Sequence, residues 1–325
     1  MPSILQYIAR ICPALLLLPA LAVQAQDYPT KPIRLVVPYA AGGAGDIAFR
    51  LISTAVEEKL GQRFVIENKP GASGNIGAAE VARAAPDGYT LLLGGGNNYT
   101  SNQFLYKNMG FDPIAVFDQV ALISNSPTVV AVVPGVPVNS LRELAAYARA
   151  NPGKLNFGSP GVATPPRLSG EFFSALAGVK MVHIPYNGSP PVMLALQQES
   201  VQLAFYTMGP VVALIRSGKL KPLAVASSAR LDALPGVPTS QEAGFPELLT
   251  GSWQGIAAPR GTDPRILDKL NAAVRSALAE PAVRKRFSDM GAIAGDMSRA
   301  ELTAFVRDEA ARWKKVIDSA GIQPE

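Results

Sequence analysis

Hydrophobic positions along this chain fall into two alternating patterns. Starting at Ile33, a short apolar run (Ile33, Leu35, Val36, Val37) passes through Pro38 and a Gly-rich stretch into a segment with Ile47, Leu51 and Ile52 on one helical face. This order predicts a buried strand, a loop at its carboxyl end, and a helix whose first turn points back at that loop. The unit recurs. A strand over 64–66 leads to a helix that starts at Ser73 or Asn75 and runs to Ala84, and a strand over 90–93 ends in Gly94-Gly95-Gly96-Asn97-Asn98. These strand ends share one sheet edge, so their Gly- and Asn-rich loops, Asn97 included, are candidates for one side of a cleft.

Further along, 120–123 and 129–133 read as two strands, and Ser140 with Glu143 reads as a capping box for a helix over 141–150. A strand over 155–157 runs into a second Gly-rich loop, where Thr164 is placed as N-cap and Pro165 as first helical residue. The alternation continues with strands over 180–184, 201–205 and 223–226 and helices over 191–198 and 210–217. After a strand over 252–258 the tail is helical, over 264–278, 281–290 and a last helix capped by Ser298 with Glu301. Leu302, Phe305, Val306, Ala310, Trp313 and Val316 recur there at helical spacing, which marks a packed face, and both Trp253 and Trp313 are assigned to the core.

In an open α/β sheet, a loop between strand and helix is the usual ligand position, because the helix start offers unpaired N–H groups and partial positive charge. An anion is the first candidate. Gly42, Gly43 and Gly45 let backbone approach it closely, and Asp46 is placed to cap the helix. An ordinary turn without a ligand fits the same residues.

The chain opens with Arg10, an apolar stretch broken by Pro13 and Pro19, and Val23-Gln24-Ala25, the pattern of an export signal cleaved near Ala25. The stretch is too short and too Pro-broken to span a membrane. The single cysteine, Cys12, falls within the segment removed, so the mature chain has neither disulfide nor thiol chemistry. About 300 residues remain, enough for two ordinary domains. With 48% hydrophobic and 17% charged residues, and a net charge of +5 carried without any basic block, the chain is a well-cored protein and nucleic acid is excluded as a partner.

Catalytic groups are sparse. The single histidine, His183, follows an alternating strand and is read as structural. No His or Cys pair offers a zinc site. Gly158-Ser159-Pro160-Gly161 is out of register with a nucleophile elbow, and Pro160 removes the N–H that an oxyanion would need. Gly43, Gly45 and Ala48 match a dinucleotide spacing, with Glu67 where a ribose partner would stand, but residues 38–41 lengthen the turn beyond that motif.

Ordered motifs over nearly the whole mature chain resemble the substrate-binding receptors of tripartite tricarboxylate transporters, the Bug receptors. They include Pro32-Ile33-Arg34-Leu35-Val36-Val37-Pro38 with Gly42-Gly43 and Asp46, Glu67-Asn68-Lys69-Pro70-Gly71, and Ala85-Pro86-Asp87-Gly88-Tyr89-Thr90-Leu91. His183-Ile184-Pro185-Tyr186, Ser217-Gly218-Lys219-Leu220 and Leu234-Pro235-Gly236-Val237-Pro238-Thr239 extend the match. The resemblance implies an α/β, two-lobed type II periplasmic-binding-protein fold, each lobe a mixed sheet flanked by helices with the ligand cleft between them. It places lobe 1 at 26–124 and 246–325, and lobe 2 at 125–245.

It further implies a non-enzymatic, monomeric periplasmic receptor that captures a small carboxylate, such as a di- or tricarboxylate, an acidic amino acid or an aromatic acid. The receptor hands it to a membrane permease by transient contact, without cofactor, metal or membrane insertion of the mature chain. By similarity, Tyr39, Ala41, Gly42, Gly43, Ala44, Gly45 and Asp46 form one wall of the site, with Asp46 as cap and loop organiser. Ser159, Gly161, Ala163 and Thr164 form the other. The sequence departs from the family pattern in three places: Arg167 replaces a frequent histidine, Ala40-Ala41 replaces a frequent proline pair, and Tyr206 and Thr207 put a ring and a hydroxyl on the second wall. Arg167 is thereby a candidate partner for a second carboxylate. A sensor subunit serving a membrane kinase, and an exported enzyme acting on a small acid, are the alternative readings.

Overall fold

The computed structural model describes residues 28–161 and 164–324. The expected export signal and the expected contact residue Ala163 lie outside the described residues. The chain runs β1 (Ile33–Val37), α1 (Ala44–Arg50), α2 (Ser53–Leu60), β2 (Phe64–Asn68), α3 (Asn75–Ala82), β3 (Thr90–Gly95), α4 (Gly96–Tyr99), α5 (Asn102–Leu105), α6 (Pro113–Val116) and β4 (Phe117–Val132). It continues with α7 (Leu141–Ala150), β5 (Asn156–Ser159), α8 (Pro165–Ala177), β6 (Val182–Pro185), α9 (Ser189–Gln197), β7 (Leu203–Thr207), α10 (Met208–Arg216) and β8 (Lys221–Val225). It closes with β9 (Gly251–Pro259), α11 (Pro264–Leu278), α12 (Pro281–Asp289), β10 (Ile293–Ala294) and α13 (Arg299–Ser319).

The mixed α/β architecture expected from the sequence is present, with strand order β2-β1-β3-β9-β4-β7-β5-β6 and with β8 and β10 also paired to β4. Parallel β1, β2 and β3 join antiparallel β9, as the βαβ units require. On the other side of β4, β7 and β8 run antiparallel to it, and β5 runs parallel to its neighbours β7 and β6. Each group has its own core. Ile33, Leu35, Phe49, Leu91, Leu93 and Leu270 fill the first, and Val130, Leu144, Phe157, Phe173, Leu203 and Phe205 the second.

Strand β4 corrects the sequence reading. The stretches 120–123 and 129–133 are one sixteen-residue strand, whose first part pairs with β9 from Phe117↔Pro259 to Pro127↔Gly251. From Thr128 it pairs with β7 and, from Val129, with β8. Pro127 sits where the strand changes partners, the position at which a missing N–H costs least.

Several smaller expectations also change. Ile47 is 44% exposed, and the buried side of this segment carries Ala48, Phe49, Ile52 and Val56 instead. The Gly-rich stretch after 93 is not a loop: β3 reaches Gly95, and Gly96–Tyr99 forms a helical turn. Ser140 Oγ accepts from Glu143 N as expected, but the Glu143 carboxylate reaches Asn139 N, one residue before the position a capping box uses. The Ser298–Glu301 box is complete, and Trp253 and Trp313 are buried. Glu67 is paired with Arg34 at 2.7 Å, so the acidic residue of the dinucleotide spacing is part of a surface ion network.

His183 on β6 lies opposite Phe157 on β5, their rings 5.2 Å apart. Burial, and secondarily the charge of Arg167, lowers its pKa from 6.5 to about 4. The unfolded chain therefore takes up the proton first as pH falls. Stability present above pH 6.5 should decline progressively toward pH 4, and a His183→Gln chain should lose that slope in urea titrations across this range. A Cβ on Gly170 of α8 would stand 2.5 Å from the Phe157 ring. Gly170→Ala should therefore destabilise by about 1–3 kcal/mol through overpacking, read as a lower urea midpoint with an unchanged slope.

Candidate functional site

The loop from Tyr39 to Gly43 is built by its own side chains. Asp46 lies in the first turn of α1, and Gly43, not Asp46, occupies the cap position. The Asp46 carboxylate instead accepts from Gly42 N at 2.9 Å and from Arg50 Nε at 3.0 Å. The Arg50 contact, ahead of the opposing effect of burial, holds its pKa below the usual carboxylate range, so it stays charged while tying the loop down. The Gly42 N–H is consequently already spent. Gly43 N donates to Ala40 O at 3.1 Å, which closes the turn.

Tyr39 points its hydroxyl to Asn97 Oδ1 and Asn98 Oδ1, each at 2.8 Å, and burial pushes its pKa up to about 12. Asn97, Asn98 and Asn102 each donate to the Ser73 carbonyl. This network fixes the far edge of the first wall. Beside it, Gln254 of β9 is buried, and its Oε1 lies 2.9 Å from where a Gly45 Cβ would stand. A side chain at position 45 would therefore require the Gln254 amide to move.

On the second wall, Ser159 is fully buried. Its Oγ lies 2.7 Å from Gly161 O, to which it can donate, and 2.6 Å from His183 Nε2. A Ser–His pair therefore exists, where the sequence showed none. With the serine proton on Gly161 O the ring nitrogen is the donor, which is the wrong polarity for a nucleophile. Thr164 holds the N-cap position of α8, but its Oγ1 also donates to Gly161 O, at 2.7 Å, instead of capping the helix. Pro165 and Pro166 then leave the first two helical positions without N–H donors.

Thr164, Tyr206 and Thr207 line one cavity of about 220 Å³. Its wall also holds Thr128, Pro160, Pro165, Pro166, Ser189, Phe205, Pro210 and Ser252, with no cationic side chain among them. Arg167 is not on that wall. Its side chain is 15% exposed, with Nε 3.8 Å from Glu171 Oε1 one turn along α8. Ala41, Gly42, Gly43, Ala44, Gly45 and Asp46 do not reach this cavity either, and Asn97 joins it only through a narrow neighbouring gap shared at Pro165 and Ser252.

Ser189, Thr128 and Ser252 were not singled out in the sequence. Ser189-Pro190-Pro191 is a helix-start signal, and the helix begins at Ser189 rather than at Pro191. Thr128 and Ser252 carry no such local signal, since their place depends on where β4 and β9 part.

The tripartite tricarboxylate transporter family receptor model matches residues 48–322. A UPF0065 protein of Bordetella pertussis is 38% identical over 323 residues, covering 99% of each chain. An R. palustris protein solved with adipate is 36% identical, covers 92% of this chain and 100% of its own, and superposes with a TM-score of 0.76. MatC from Rhodopseudomonas palustris with bound malate is 34% identical, with coverage of 89% and 100% and a TM-score of 0.72. This chain belongs to the tripartite tricarboxylate transporter receptor family, whose members are binding receptors rather than enzymes.

Proposed function

We propose that the chain is a periplasmic receptor that captures a small carboxylate between its two sheets and delivers it to a membrane permease. The observation that carries this reading is the cavity between α8, α9, α10 and β9, lined by neutral hydroxyls and helix starts and closed on one side by prolines. Neutral donors suit an anion that is bound and later released, because no buried ion pair has to be broken. The two relatives solved with adipate and malate have the same fold at more than a third identity. Among the described residues, no helix is long and apolar enough to cross a membrane.

In this reading residues 26–124 and 246–325 make one lobe and 125–245 the other, with hinges where β4 changes partners and near Phe245. Closure brings the 39–46 loop toward the second wall and removes water from the carboxylate. Asp46 organises the loop without touching the anion, which its charge would repel. Delivery to a permease rests on the family to which the chain belongs.

Thermal melting of mature protein, stripped by unfolding and refolding, against mono-, di- and tricarboxylates, acidic amino acids and aromatic acids tests the reading. A ligand at about a hundred times its dissociation constant should add roughly 2.7 kcal/mol, a rise of a few degrees. The rise should be confined to one class of acid. A flat response to every acid would overturn the carboxylate assignment. For the partner, membrane vesicles carrying the cognate permease should accumulate labelled acid only when the receptor is added, and accumulation without it would remove the delivery role.

A further inference from the structure

We propose that the face of the hinge behind the ligand cavity sets how tightly the acid is held. Contacts made there only while the front is apart, the Ser288–Asp232 bond among them, oppose closure and lower the affinity without touching the ligand. The proposal rests on the two-lobe reading above and adds to it a regulator of the same site.

Strand alternation locates this second face. Thr128 and Ser252 line the ligand cavity. Asn125 is an odd number of residues from Thr128 along β4, and Trp253 is next to Ser252 along β9, so both side chains leave the opposite face of the ribbon. Asn125 is the direct cross-strand partner of Trp253 on one side and of Ile293 on the other, and cross-strand partners share a face. All three line a separate cavity of about 400 Å³.

Its walls come from both lobes. Ile293, with Phe305 and Arg312 of α13, stands on the side assigned to lobe 1, and Ser228 and Ala229 stand on the side assigned to lobe 2. Phe305 is held by Trp253, their rings 5.4 Å apart. A second hollow of about 240 Å³ adjoins this cavity at Ile293 and is lined by Asp232 and by Ser288 of α12. There Ser288 Oγ donates to Asp232 Oδ2 at 2.9 Å, a bond that runs directly from one lobe to the other.

The hinge ribbon lies between front and rear. Rigid lobes that turn about it toward each other in front must separate behind, so both hollows widen on closure and the Ser288–Asp232 bond breaks. In this structure residues 41–46 do not reach the ligand cavity, so the bond coexists with a front that is apart. An interaction present only in the open form lowers the population able to grip the acid, and the apparent affinity falls by the same fraction for every ligand. Ile293 is 41% exposed, and a hollow of this volume takes an indole without forcing the walls apart. A larger side chain at 293 therefore adds contacts to Ser228 and Ala229 in the open form, and closure removes them.

Titration calorimetry of the stripped mature protein with succinate, citrate, glutamate and benzoate, with small-angle scattering of the ligand-free protein, tests the proposal. Ser288→Ala and Asp232→Ala should each tighten whichever of these acids binds by about two- to fivefold, the range of one exposed polar pair. The double variant should gain no more than Asp232→Ala alone, because the two changes remove one shared bond. Ser288→Ala leaves the net charge unchanged, which separates the effect from a general attraction of anions. Ile293→Trp should weaken binding by about three- to tenfold. All acids that bind should move by one common factor. Ligand-free Asp232→Ala should have a smaller radius of gyration than wild type. Asp232 and Ile293 are exposed, so urea midpoints should stay near that of wild type.

Unchanged affinity in both Ser288→Ala and Asp232→Ala, or fully additive gains in the double variant, would overturn the role of the bond. Tighter binding by Ile293→Trp would overturn the direction of the rear movement, and a changed ratio between acids would show a contact with the ligand instead. Failure of every acid to bind would overturn the carboxylate reading. The scattering then decides the rear face by itself, an unchanged radius of gyration in Asp232→Ala overturning it.

Discussion

One strand holds the two sheets in a single molecule. β4 spends its first part against β9 and its second against β7 and β8, and at the changeover its backbone groups pass from one partner to the next without a gap. Thr128 N donates to Thr250 O at 2.9 Å, while Thr128 O accepts from Ala226 N at 2.8 Å. A buried strand that changed sheets without such continuity would leave polar groups unpaired at a cost comparable to a lost hydrogen bond each. Gly251 is required at the same point. A Cβ there would stand 2.5 Å from Ser126 O, so the two strands approach closely only because β9 begins with glycine. The cavity lies beside this changeover, and Thr128 and Ser252 reach it because the strands separate there.

A buried carboxylate ties the last helix to that frame. Glu309 Oε2 accepts from Trp253 Nε1 of β9 at 3.3 Å and from Trp313 Nε1 of α13 at 3.1 Å, and Glu309 pairs with Arg312. Burial pulls the Arg312 pKa down to about 10, which leaves it charged at neutral pH and able to balance the glutamate. Removing one partner would leave a buried charge uncompensated, the costly way to break such a pair. Beyond this latch, Trp313, Val316 and Ile317 pack with Leu168 of α8. The helix whose start carries Thr164 and Pro165 to the cavity thus rests on the tail of the chain. Sequence periodicity assigned α13 to a packed face; the structure adds that this face bridges both sheets.

Local rules made most of the α/β order legible. The run at 33–37 is β1, the start at Pro264 and the end at Leu278 of α11 are read correctly, and Ser298 caps α13 as its spacing required. What the sequence concealed depends on distance. Ser124-Asn125-Ser126-Pro127 looks like a break in a strand because its polar side chains and proline are tolerable only at a changeover of partners. Ile47 looks like core and Phe49 does not complete the expected face, because α1 ends at Arg50 and α2 restarts after it, which rotates the apolar stripe. Ser159 and His183 are 24 residues apart and meet only through the pairing of β5 with β6. The family, carried by many ordered motifs, was legible where individual contacts were not.

The distribution of charge near the cavity bears on how such a receptor works. Asp46 of the first loop is paired with Arg50, and Arg167 of α8 lies 3.8 Å from Glu171. Burial raises the Glu171 pKa against the opposing influence of Arg167. Asp46 thus has its counter-charge within its own helix, as Arg167 has an acid one turn along α8. On the proposed reading, closure depends on an anion that contacts donors on both sides, since a ligand shifts a conformational equilibrium only by its differential affinity for the two states. A cation fixed on one wall would hold the anion equally well in the open form and would contribute nothing to that difference. On the proposed reading, an anion held by neutral donors is itself the source of the closing free energy.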